Sequence, residues 1–212
     1  NDNSFHYDNE SPSNTMEIFP FELNVDFVSN NDWLEFIDSD GYNRPELWLS
    51  DGWDFIKKND IKQPLYWLDK NFKFSFFGVD KIEGSEPVSN ISFYEADAYS
   101  RFKKKRLPTE FEIEYFLTQN KKIGNLLENK NFKEITINNQ NAMENSYGNL
   151  WCWTSSNYLP YSGYKPFSEK LSEYNQKFMC NQFVLKGGSY ATPKNHIRPT
   201  YRNFYYPSDR WQ

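Results

Sequence analysis

The sequence predicts an α+β chain with two or three short helices, a few short strands and much irregular, aromatic-rich loop. Three observations predict it. Two helix-capping signatures each open a stretch of helical apolar period. The strand-like pieces are all short. A long stretch from Asn138 to Tyr174 is dominated by Gly, Asn, Pro, Ser and Tyr.

The elements follow in chain order. In 31–39 (NDWLEFIDS), Trp33, Leu34, Phe36 and Ile37 sit at helical spacing, with Asn31 or Asp32 as the expected cap. In Ser92–Lys104, Ser92 and Glu95 form a capping box, and Phe93, Ala96, Tyr99 and Phe102 recur with helical period. Thr109 and Glu112 repeat the box before a helix that runs to about Gln119. Phe111, Tyr115 and Phe116 are assigned to its inner face, and Pro108 stops the preceding segment. Beyond Lys121 only strand-like pieces are expected: Phe132–Ile137, Leu150–Thr154, Phe183–Leu185 and Ile197–Asn203. There is no internal repeat and no long linker, so one domain over 1–212 is expected. Loops of such length are usually functional or tied down.

Composition narrows the function classes. The chain has 212 residues, enough to hide roughly 70% of its unfolded surface. Hydrophobic residues are 38% and aromatic ones 19%, with 19 Phe, 15 Tyr and 7 Trp. Rings bury much area each, so a core is compatible with a mean hydropathy of −0.88, and this aromatic content argues against disorder. The net charge of −5 argues against nucleic acid as a partner. The basic run Lys103–Arg106 reads as a solvated helix end. No apolar run of about 18 residues predicts a membrane span. Two cysteines, Cys152 and Cys180, make no disulfide framework, and a reducing, cytoplasmic setting is the simpler expectation. The polar N-terminus lacks the apolar stretch of a signal peptide.

Three segments carry a family resemblance. Arg106-Leu-Pro-Thr-Glu-Phe-Glu-Ile-Glu-Tyr115 resembles the R-L-P-T-E-x-E-W-E-Y signature of the formylglycine-generating-enzyme-like domain. Gly148-Asn-Leu-Trp-Cys-Trp-Thr154 and Val184-Leu-Lys-Gly-Gly-Ser189 resemble its G-N-V-W-E-W-T and V-L-R-G-G-S segments. The resemblance implies a C-type-lectin-like α+β fold, a small antiparallel sheet with two main helices and large loops. Further segments narrow it: Tyr7-Asp-Asn-Glu10, 44–53, 87–98, Lys177-Phe-Met-Cys-Asn-Gln182 and Arg198-Pro-Thr-Tyr-Arg-Asn-Phe204. These are similar to the sulfoxide synthases of ergothioneine biosynthesis.

That narrower resemblance implies an iron(II)- and O₂-dependent enzyme. It would join trimethylhistidine (hercynine) to the sulfur of cysteine or γ-glutamylcysteine. The family holds its iron with three His of a helical-bundle domain, which is expected to be absent from this chain. Only His6 and His196 occur here, so the ligands are expected outside the chain, from that domain or a partner chain, and the isolated chain is expected to be inactive. By the same resemblance, Arg202-Asn-Phe-Tyr205 is the binding segment, with Asn203 bonding the hercynine carboxylate and Phe204 facing its trimethylammonium. An aromatic face suits a cation that cannot donate a hydrogen bond. Tyr205 stands where some members place an acidic residue toward the amine of the thiol substrate; Asp209 and Arg210 are nearby sources of charge. A catalytic tyrosine that delivers a proton to oxygen bound at the iron is expected among Tyr158, Tyr161, Tyr164 and Tyr174, with Tyr164 and Tyr174 preferred. Calcium is doubtful, because Cys152 replaces the usual Glu and a thiol is a poor ligand for a hard cation. Formylglycine generation is not expected, since no cysteine lies between Tyr190 and Tyr206. The alternatives are a non-catalytic lectin-like binding module and a relative acting on selenium substrates.

Overall fold

The computed structural model describes residues 5–24, 26–121, 123–136, 146–168 and 175–211. Helix α1 spans Asn30–Asp38, and its cap is Ser29 rather than Asn31 or Asp32. Asp32 instead closes the box, reaching back to the Ser29 N–H at 3.1 Å. Helix α2 (Ser50–Lys58) was not expected. Its Ser-Asp-Gly opening imitates a turn, yet Gly52 is there because a Cβ would meet the Tyr94 side chain at 2.9 Å. Helices α3 (Phe93–Phe102) and α4 (Glu110–Gln119) begin where the capping boxes of Ser92 and Thr109 place them.

Strands β1 (Phe72–Ser75) and β2 (Gly78–Lys81) form a hairpin closed by Phe76 and Phe77. Its exposure is inverted, which hides it from pattern reading. Phe72 and Phe74 are exposed, whereas Lys73 is buried between Glu86 and Glu134 at 3.5 and 3.6 Å. Strand β3 (Gly124–Asn125) pairs in parallel with β4 (Tyr147–Gly148). Gly124 is required there, since a Cβ would fall 1.7 Å from the Tyr147 carbonyl oxygen.

Strands β5 (Cys152–Asn157), β6 (Phe183–Lys186) and β7 (Asn203–Tyr205) form an antiparallel sheet in that order. The expected strand at 150–154 therefore starts and ends later. The one at 197–203 shrinks to its last residue and continues to Tyr205, because Pro199 and Thr200 lie in a turn. Residues 132–136 form no strand, and Ile137 lies outside the described residues.

Helix α3 links two cores. Ala98 and Tyr99 join Trp33, Phe36 and Trp48, while Phe93 and Ala96 pack on Trp153 and Leu185 of the sheet. Glu95, on the same helix, is fully buried. It accepts from Tyr42 at 2.8 Å and from both Nε and Nη2 of Arg210 at 2.9 Å. Arg210 thus serves this core and not the C-terminal binding segment or Asp209. The effect of this scaffold is to hold β7 at the sheet edge, with the tyrosine-rich loop across it.

Candidate functional site

Register on β6 fixes the binding segment: Asn203 opposes Leu185, Phe204 opposes Val184 and Tyr205 opposes Phe183. All three β7 residues are half-buried and not sealed inside, and among the described residues only β6 pairs with their strand. The Phe204 ring stacks on Tyr158 at 4.1 Å and 10°, and Phe178 lies offset at 5.8 Å and 30°. The ammonium of Lys177 lies 5.6 Å from the Phe178 centroid, within the range of a cation–π contact. Asn203 Oδ1 accepts from the Phe204 backbone N–H at 3.0 Å, which ties the amide to the backbone of β7. Tyr205 turns its ring edge-on to Trp211 at 5.5 Å.

Arg202 has a different setting from its neighbours. It is 2% exposed, against 3% for its partner Glu110. Its Nε and Nη2 donate to Glu110 at 2.8 and 3.2 Å, Nη1 to the Asn9 carbonyl at 2.9 Å and Nη2 to the Leu159 carbonyl at 3.0 Å. The rings of Tyr158 and Tyr161 flank the guanidinium at 4.9 and 4.2 Å. These bonds leave little of the guanidinium for a ligand. Its place in the fold is that of a fastener joining α4, the N-terminal segment and the tyrosine-rich loop.

The four candidate tyrosines divide accordingly. Tyr158 is fully buried and accepts from Asn9 Nδ2 at 2.9 Å; burial pushes its phenol well up. Tyr161 donates to Glu110 at 3.1 Å and is also raised by burial, against the pull of Arg202. Tyr164, half-buried, donates to Asp8 Oδ2 at 3.1 Å; burial and the Asp8 carboxylate push it up to about 12. Tyr174 lies outside the described residues.

Sequence reasoning did not assign the buried turn Asp8–Glu10 to the site. Asp8 also accepts from Asn175 Nδ2 at 2.5 Å. Glu10 takes Arg198 and the Thr200 hydroxyl. Burial raises the Glu10 carboxyl, yet the bonds from Arg198, Thr200 and the Tyr7 N–H outweigh it and hold it low. The available signal was Tyr7-Asp-Asn-Glu10 itself, an ungreasy segment whose polar residues needed partners once buried. Below the sheet, Lys186 is fully buried against Glu114 at 2.9 Å; burial lowers its ammonium although Glu114 and Glu110 push back. A cavity of about 400 Å³ lies elsewhere, between Met16–Pro20 and the start of α4, and includes none of the candidate residues.

Among the described residues, no group of three or more His, Cys, Asp or Glu is placed to hold a metal ion. His196 packs at 4.8 Å on Tyr201 and His6 at 5.4 Å on Phe167. The Cys152 thiol donates to the Leu150 carbonyl at 3.6 Å, and burial pushes it up to about 12. A thiol held protonated does not fit a calcium site. No described helix is long and apolar enough to cross a membrane.

The helices, the antiparallel sheet and the long loops are those of a C-type-lectin-like α+β fold. The model of the sulfatase-modifying factor enzyme 1-like domain matches residues 1–122 and 128–212, so the chain belongs to that family. It is 29% identical to the hercynine oxygenase of Mycolicibacterium smegmatis, over 96% of this chain and 53% of the relative. It is 28% identical to that of Mycobacterium tuberculosis, with the same coverage of 96% and 53%. The chain therefore spans about half the length of these curated relatives. The solved structure of PvdO from Pseudomonas aeruginosa is 18% identical, covering 74% of this chain and 72% of that one at a TM-score of 0.46.

Proposed function

We propose that this domain is the substrate-binding core of an ergothioneine-type sulfoxide synthase, and that Asn203 and Phe204 hold trimethylhistidine. The observation that carries the reading is the half-buried Phe204 ring, stacked on Tyr158 with Phe178 alongside, next in sequence to Asn203. A quaternary ammonium binds best where rings replace its water without asking for a hydrogen bond. The amide Nδ2 of Asn203, bonded to nothing among the described residues, is a donor for the carboxylate of the same ligand. The hercynine oxygenase relatives, which align with 96% of the chain, support the choice of ligand.

Iron(II), when supplied, would activate O₂, and its ligands come from residues other than the described ones, which do not fit such a site. The second substrate is a cysteine-containing thiol, cysteine itself or γ-glutamylcysteine. Arg202 acts in this reading by positioning, since it fastens the strand that carries Asn203 and Phe204. Tyr205, half-buried on the same strand, lines the approach to them. The Tyr164 proton is held on Asp8, and a phenol held up to about 12 is a poor acid. Tyr174 stays the proton donor that the family resemblance proposes.

Titration calorimetry with trimethylhistidine tests the reading. Asn203→Ala and Phe204→Ala are each expected to weaken binding about 10-fold or more, the range of one charge-assisted hydrogen bond or one desolvated cation–π contact. Affinity that both substitutions leave untouched would place the ligand elsewhere.

A further inference from the structure

We propose that Asp8 and Tyr164 form a second ligand subsite, one that recognises a protonated primary amine such as that of an amino acid. Asp8 is 3% exposed, yet among the described residues no Lys, Arg or His lies within ion-pair distance of it. Its neighbours in the buried turn are served differently: Glu10 has Arg198, and the nearby Arg202 is already paired with Glu110. A buried carboxylate without a cation is costly, and two neutral donors, the Tyr164 hydroxyl and the Asn175 amide, offset only part of that cost. The carboxylate thus keeps an unmet preference for positive charge.

Tyr164 relays that preference outward. Its one proton points at Asp8 Oδ2, so the lone pairs of its oxygen face away from the carboxylate. A phenol oxygen polarised by a carboxylate is a strong acceptor, and the hydrogen bond it receives is strengthened by the charge behind it. Tyr164 is half-buried, while Asp8 beneath it is sealed, so the phenol is the part a ligand can touch. The group that fits is an N–H donor carrying charge. A trimethylammonium has no N–H and is excluded from this acceptor, which separates the subsite from the Phe204 ring.

A chain of contacts joins the two positions. Asn9, next to Asp8, donates to the Tyr158 hydroxyl at 2.9 Å, and the Tyr158 ring is the one stacked under Phe204. This inference rests on the proposed substrate-binding role, to which it adds the contact made by the second substrate.

The test compares cysteine with N-acetylcysteine by calorimetry on the protein, on Tyr164→Phe and on Asp8→Asn. The unsubstituted protein is expected to prefer the free amine by about 10-fold or more, the value of a charge-assisted hydrogen bond. Tyr164→Phe, which removes only a half-buried hydroxyl, is expected to abolish that preference while leaving trimethylhistidine affinity unchanged. Asp8→Asn is expected to do the same if it folds. Conversely, Phe204→Ala should weaken trimethylhistidine and keep the amine preference, so the two assignments fail separately. Equal binding of cysteine and its acetylated form by the unsubstituted protein, including none of either, overturns the subsite. So does a preference that survives in Tyr164→Phe.

Discussion

Substituting Arg202 and Glu110, singly and together, distinguishes a fastener from a ligand contact. Both side chains are nearly sealed, and the guanidinium reaches Glu110 twice and the carbonyls of Asn9 and Leu159 once each. Glu110→Met leaves an uncompensated buried guanidinium, and Arg202→Met leaves an uncompensated carboxylate together with two buried carbonyls. Losing one partner of a buried pair costs about 3–5 kcal/mol. For a chain of this size that is a fall in Tm of roughly 6–20 °C. The double substitution Glu110→Met/Arg202→Met removes both charges, so its loss should be smaller than the sum of the singles by about 1–3 kcal/mol. Denaturant unfolding followed by tryptophan fluorescence measures all four forms. Additive losses would refute the coupling. An Arg202→Met protein of unchanged stability that has lost trimethylhistidine would return Arg202 to the role of ligand contact.

Three further outcomes follow from the same contacts. The Arg106 guanidinium, bonded to Glu112 at 2.6 and 2.8 Å, holds that carboxyl down to about 2 from an ordinary 4.5. A depressed carboxylate stabilises the fold above about pH 4.5 and loses that contribution as the pH falls toward about 2. Arg106 is 63% exposed, so screening limits the effect to about 1 kcal/mol or less, and Glu112→Gln should flatten acid unfolding over that window. With the Cys152 thiol pushed up to about 12 and Cys180 exposed, iodoacetamide at pH 8 should label one thiol, and Cys180→Ser should abolish the reaction. Gly124→Ala drives a methyl to 1.7 Å from the Tyr147 carbonyl oxygen, so β3 and β4 must separate, with a loss above about 2 kcal/mol by denaturant titration.

How far the sequence was legible depended on whether the determining contact was local. Ser92 and Thr109 announced α3 and α4 because a capping box is written within four residues. Ser29 was passed over for the cap of α1 since the motif there ends in Asp32, a shorter acid than the Glu or Gln of the usual box. Helix α2 was missed because Gly52 answers to Tyr94, a residue of another helix. The β1–β2 hairpin was missed because Lys73 points inward to Glu86 and Glu134 while its phenylalanines face out, the reverse of the alternation that marks a strand.

The site follows the same rule, with a consequence for reading such chains. Arg202, Asn203 and Phe204 are consecutive, and nothing in their order says that the first is sealed and the next two half-open. That is decided by Glu110, 92 positions away, and by the Asn9 and Leu159 carbonyls. Glu110 belongs to the same Arg106–Tyr115 signature that identified the family, so two motifs recognised separately are the two halves of one ion pair. The Asp8–Glu10 turn joins the same unit, through the bond of Arg202 to Asn9 and that of Asn9 to Tyr158. A segment at one end of the chain thus sets the aromatic floor under Phe204 at the other. Ligand-facing residues in this fold are better sought beside such a buried knot, where a half-exposed neighbour is held rigid, than among the charged residues that form it.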